Sequence, residues 1–194
     1  MRKLIMLFCG LVLCMSFFGC GNESDKESIL KIEKNGQITG ILVEDFDKSY
    51  YDVDELEEMI RLEISEYNIN AGEEKISLVS IEMADDKVKV KMQYDNYADY
   101  AAFNGISFYA GTVEDAVNRG IDLNHVMLEA GGDNTISPEQ IREFSGHHLV
   151  MWQGNMPVEV PGKILYHTEE LTLISSKKII SEPDLAGPFY LLYK

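Results

Sequence analysis

Cysteine is scarce in this 194-residue chain. The three present are Cys9, Cys14 and Cys20, all at one end. Nothing after residue 20 can carry a disulfide, so a domain there must be held by its core. Cations are also in short supply, with 17 Lys and Arg against 33 Asp and Glu and a net charge of -16. Such a surface repels phosphate backbones, and nucleic acid is not an expected partner. There is no G-x-S-x-G, no G-x-G-x-x-G and no G-x-x-x-x-G-K-S/T. The nucleophile elbow and the phosphate-cradling loops are thereby excluded, and no cofactor is expected. One long apolar run exists, Leu4–Phe18, fifteen residues without a charge.

That run follows Arg2 and Lys3 and ends in Gly19-Cys20-Gly21-Asn22. A basic start, a short apolar stretch and a small residue before the cut make an export signal. Fifteen residues are too few for a spanning helix, which needs about 20. Gly19-Cys20 resembles the lipobox of bacterial lipoproteins, in which a small residue stands directly before the modified cysteine. Phe17 and Phe18 depart from the pattern at the two positions upstream. The resemblance implies cleavage after Gly19 and lipid on the Cys20 sulfur. It also implies a protein held on the extracytoplasmic face of the bacterial cell membrane. Two or more acyl chains anchor stably, whereas one gives marginal residence. The chain as a whole looks like the small surface lipoproteins of Gram-positive anaerobes, a resemblance that brings no activity with it.

The division that follows is a signal over 1–19, a lipidated cysteine and polar tether over 20–28, and one globular domain over 29–194. A break near 146 is the one internal subdivision the pattern admits. Without 1–19 the chain has 175 residues, 15 basic and 33 acidic, for a net charge of −18. At this size a chain can bury roughly 70% of its unfolded surface, so no metal or disulfide staple is required. The acidic domain is expected to stand off anionic headgroups, held by its anchor alone.

Local patterns predict an α+β fold. Ile29–Glu33 and Gln37–Glu44 flank Asn35-Gly36, a strong hairpin signal because both turn positions accept positive φ. A helix is predicted from about Val53 to Asn70, with Asp52 as N-cap, Glu55 completing a capping box and Tyr51 stapling onto Leu56. Leu56, Met59, Ile60, Ile64 and Tyr67 form its apolar face. Ile76–Ala84 and Val88–Tyr94 form a second hairpin with a lysine-lined face, which suits either an edge strand guarded by charge or a strand lying against the acidic helix. Short helices begin near Tyr97, at Thr112 and at Ser137-Pro138. Five short strands from Leu149 to Tyr193 suggest a small antiparallel sheet or partial barrel. The expected architecture is antiparallel hairpins packed on one long amphipathic helix, short helices in the middle and a small antiparallel β part at the C-terminus.

Few residues invite chemistry. A metal site would need His125, His147, His148 or His167 to converge with Glu129 or Asp133, since catalytic zinc takes three protein ligands. Adjacent His147 and His148 on a strand point to opposite faces, which makes them a poor chelating pair. Asp45, Asp47, Asp52 and Asp54 fail the calcium-loop pattern at Tyr50 and Leu56, where glycine and glutamate are needed. Ala130-Gly131-Gly132-Asp133-Asn134 reads as a turn. Tyr97, Tyr100 and Tyr109 are candidates for a sugar- or peptide-stacking surface, against core packing as the plainer reading. The function expected is an interaction module rather than an enzyme, with an envelope protein, peptide or glycan as partner. The rival is a metal-assisted hydrolase at the cell surface, built on His125, Glu129 and His147 or His148.

Overall fold

The computed structural model describes residues 27–182 and 184–194. The expected export signal, Cys20 and the expected tether as far as residue 26 lie outside the described residues. The end of the tether is docked. Ser28 Oγ donates to the Val43 carbonyl and accepts from the Val43 N–H, and Glu27 forms an ion pair with Lys178.

The first hairpin forms as its turn residues require. β1 (Ile29–Ile32) and β2 (Ile38–Asp45) pair antiparallel, with Gly36 at φ 87° in the connection, where a Cβ would be strained. Asp52 caps α1 (Val53–Ala71) by accepting from the N–H groups of Asp54 and Glu55, and Gly72 ends it at φ 76°. Tyr51 stacks on Phe46, 4.8 Å between ring centres, and Phe46 packs beside Leu56. β3 (Ile76–Ala84) and β4 (Lys87–Tyr94) make the second hairpin around Asp85 and Asp86, both at positive φ. Aspartate tolerates that region better than most residues, and the mirror-image turn suits the strand twist.

The middle of the chain gives α2 (Tyr97–Asn104), β5 (Phe108–Thr112), α3 (Val113–Asn118), β6 (Met127–Glu129), β7 (Thr135–Ile136) and α4 (Pro138–Glu143). Asn96 and Thr112 cap α2 and α3, and Ser137 with Gln140 forms a complete capping box on α4. The remainder is β8 (His148–Trp152), β9 (Val158–Glu159), β10 (Ile164–His167), β11 (Leu171–Leu173), β12 (Lys178–Ser181) and β13 (Phe189–Tyr193).

These strands form two sheets. One has seven strands in the order β11-β12-β9-β1-β2-β4-β3, and the other six in the order β5-β8-β13-β10-β6-β7. Their facing sides share one buried cluster. Leu30, Ile32, Ile38, Val158 and Ile179 of the first meet Phe108, Val150, Trp152, Phe189 and Leu191 of the second. The far side of the six-stranded sheet carries Tyr109, Leu149, Tyr190 and Leu192 against Val113 and Ala116 of α3 and Ile141 of α4. β13 is thus buried on both faces, which explains its unbroken Phe-Tyr-Leu-Leu-Tyr.

The expected architecture is corrected on this point. The molecule is mostly β, and its hairpins are not carried on a long amphipathic helix. They pair edge to edge into sheets, and α1 packs on one end of the seven-stranded sheet against β3 and β4. The magnitudes explain why. Leu56 and Ile64 are the fully buried residues of α1, and two such side chains contribute about 3–6 kcal/mol. Among the described residues the inter-sheet cluster holds eighteen buried residues, with Ile64 as the one member from α1. The C-terminal strands are not a sheet of their own either. β8, β10 and β13 join one sheet, while β9, β11 and β12 join the other. β4 is interior, between β2 and β3, so the edge belongs to β3 and not to the lysine-bearing strand. Strands from before and after residue 146 pair in both sheets.

Candidate functional site

A groove of about 770 Å³ lies between α1 and the edge strand β3. Arg61, Ser65 and Asn68 form its helical wall, and Ile76, Ser77 and Leu78 its strand wall, with Ile64 between them and Glu73 and Glu74 at one end. Arg61 is held by Glu57 one turn earlier, at 2.7 Å. Lys75, beside Glu73 and Glu74, is claimed by Glu73 at 2.8 Å and by Asp95 at 3.0 Å. Those two carboxylates hold its ammonium above the ordinary lysine range. Burial, and then the neighbouring Glu66, raise the Glu63 carboxyl on the side of α1 away from the groove.

The backbone of β3 has a defined free side. The Asp95 N–H donates to the Lys75 carbonyl at 2.8 Å, just outside the Ile76–Tyr94 pair. That bond makes Ile76–Tyr94 a non-hydrogen-bonded pair, so the Ile76 N–H and C=O point away from β4. Asn68 meets them. Its Oδ1 accepts from the Ile76 N–H at 3.0 Å and the Lys75 N–H at 2.9 Å, and its Nδ2 donates to the Ile76 carbonyl at 2.8 Å. A side-chain amide thus stands where a neighbouring strand would. With the two-residue period, Leu78 presents its backbone outward in the same way. A bulge at Val79 shifts the register, and Ile81 and Met83, opposite Val90 and Val88, resume the outward side. Among the described residues no strand pairs with this edge.

The residues singled out from the sequence lie elsewhere. His125 stacks on Tyr190 at 4.3 Å, and its Nε2 is buried without a hydrogen-bond partner, 4.0 Å from Asp122. Glu129 accepts from Asn134 at 2.6 Å across the β6–β7 turn, and Gly131 and exposed Asp133 belong to that turn. His147 packs edge-on against Phe144, and His148 stacks on Tyr193. Among the described residues no three His, Cys, Asp or Glu side chains group closely enough to hold a metal. Tyr100 and Tyr109 are core residues, and half-buried Tyr97 lies edge-on to Tyr109 at 5.0 Å with Arg119 over its ring. Burial and the nearby Asp115 carboxylate raise the Tyr109 phenol. Asn68 went unmarked in the sequence. Its one signal is position, a polar residue one turn after Ile64 on the core-facing side of the predicted helix.

Comparison with known proteins gives no match to a family model, to a curated protein or to a solved structure. No helix among the described residues is long and apolar enough to cross a membrane.

Proposed function

We propose that the chain is a lipid-anchored binding module on the extracytoplasmic face of a bacterial cell membrane, with no catalytic role. The anchor is Cys20, supported by the basic start, the fifteen-residue apolar run and the Gly19-Cys20 junction. Six residues separate Cys20 from docked Glu27, a reach of at most about 25 Å when extended. The domain therefore works close to the membrane, on a partner in the envelope. The observation that carries the binding reading is the open edge of β3 beside a groove. Exposed edge backbone is a ready template for another chain.

Two measurements test this reading. Mass spectrometry of the mature amino terminus should find acyl mass on Cys20, and a soluble, unmodified product would overturn the anchor. Crosslinking of intact cells followed by purification should recover the same envelope partner repeatedly. Turnover of a defined substrate, with no reproducible partner, would overturn the binding reading.

A further inference from the structure

We propose that the outer edge of β3, from its Leu78 end in the α1–β3 groove onward, binds an extended, cationic segment of a partner protein as an added strand. This rests on the reading of the chain as a binding module, and it names the site and the partner's chemistry. Strand addition takes its affinity from main-chain hydrogen bonds and its selectivity from the flanking side chains. Both are present here.

The main-chain component is shown by Asn68. Its amide already makes at Ile76 the paired donor and acceptor contacts that a peptide unit makes in a sheet. The same stretch of edge continues, without such a cover, through Leu78, Ile81 and Met83. Asn68 also sets a stop, because a docking strand cannot pair at Ile76 while the amide occupies it. The usable edge runs from Leu78 to Met83, six residues and roughly 20 Å of strand.

The charge of the frame selects the occupant. The helical wall, with Arg61 and Ser65 in the groove, continues on the same side of α1 through Asp54 and Glu58. Glu73 and Glu74 close one end, and Asp85 and Asp86 form the turn at the other end of β3. Lys89 and Lys91 stand on β4 across from Glu82 and Ser80, and three other cations near the frame are engaged by carboxylates. Arg61 is paired with Glu57, Lys75 with Glu73 and Asp95, and Lys87 with Asp45. A strand entering this frame gains from lysine or arginine and loses from carboxylates. The same field argues against a second copy of this chain, which would bring its own acidic helix and a net charge of the same sign.

The test uses the full-length protein in detergent and a fluorescent hexapeptide of alternating lysine and valine. Anisotropy should report saturable binding that weakens at least about tenfold between low and high salt. Hydrogen exchange should show new protection at Leu78, Ile81 and Met83. The glutamate-for-lysine peptide and a backbone N-methylated version should each bind at least about tenfold more weakly. Two variants locate the site. Met83→Pro removes an outward N–H at no cost to the β4 ladder, and exposed Ser65→Trp fills the groove from the helix side. Each should weaken binding about tenfold or more with an unchanged melting temperature. No binding, equal binding of the N-methylated peptide, protection elsewhere, or full binding by both variants would overturn the proposal. So would sedimentation showing a dimer that buries β3. Failure here is separable from failure of the broader reading. If crosslinking recovers one partner equally with wild type and Ser65→Trp, the groove is wrong and the binding module stands.

Discussion

Asn68 does more for the molecule than its place in the last turns of a helix implies. Its amide ties the end of α1 to the start of β3 through three hydrogen bonds, to the Lys75 N–H, the Ile76 N–H and the Ile76 carbonyl. Ile76 is itself 1% exposed and part of the inter-sheet cluster. Removing the amide leaves partly buried backbone groups without partners, and an unmet buried donor or acceptor costs about 1–3 kcal/mol. Asn68→Ala should lower stability by about that amount in urea unfolding. Asn68→Asp should cost no less, because it keeps the acceptor but turns a carboxylate oxygen toward the Ile76 carbonyl. A loss below about 0.5 kcal/mol in both would mean that the edge does not need this cover. Its place one turn after Ile64 marks Asn68 as a polar residue near the core but not for this role. Its partners come from the next element and exist only once β3 folds back along α1.

Among the elements, α1 is the one whose sequence and structure agree best, and its two faces behave differently. Asp52 and Gly72 set its ends as local chemistry dictates. Ile64 is buried at 8%, whereas Leu62 and Ile69 are 67% and 75% exposed on the opposite side. Ile64→Ala should therefore cost about 2–4 kcal/mol. Leu62→Gln should change stability by less than about 0.5 kcal/mol, since it loses no packing and glutamine is a good helix former. Chemical denaturation of the two variants reads both figures, and comparable losses would mean that the helix buries its outer face on something else. Apart from the two-residue β7 and β9, the strands were legible one by one but not as sheets. β1, β2, β8 and β13 stand out as alternating or continuous apolar runs. β9 is two residues long, and β1 meets it in parallel through Leu30–Val158. No local pattern encodes a pairing between residues more than a hundred positions apart.

For the whole molecule, the balance between acid and base predicts how stability changes with pH. Burial, and then neighbouring Asp45, hold the Glu44 carboxyl above the ordinary carboxylate range, and burial followed by Glu66 does the same for Glu63. A carboxyl raised in the folded state contributes stability below its unfolded value and loses it as pH rises through the folded value. Net negative charge adds self-repulsion of the same sign. The melting temperature should accordingly be higher near about pH 5.5 than near about pH 7.5. At the alkaline end, burial pushes the Tyr94 and Tyr193 phenols up to about 12. Their contribution is complete below the unfolded tyrosine value of about 10 and is lost as pH rises from there through the folded values. Thermal melts across the range, with tyrosinate absorbance followed in parallel, check both limbs. A melting temperature that falls steadily from neutral pH to about pH 5.5 would contradict the acid limb.

By itself the sequence determined what is local or compositional. Its first twenty residues hold the basic start, the apolar run and the Gly19-Cys20 junction on which the proposed lipid anchor rests, and a surplus of carboxylates runs throughout. It sets the capped ends of α1 and α4, and the two hairpins whose turns demand Asn-Gly or Asp-Asp. These depend on neighbours within a few positions, and the side chains that satisfy them are adjacent in the chain. Tertiary structure alone decided which strands share a sheet and that the core lies between sheets rather than under a helix. It also decided that the tyrosines after Tyr94 are largely core, and that the edge strand is β3. Each of those depends on pairing and burial between distant segments. The groove beside β3 has the same origin. It exists because α1 leaves one side of an edge strand uncovered beyond the reach of the Asn68 amide.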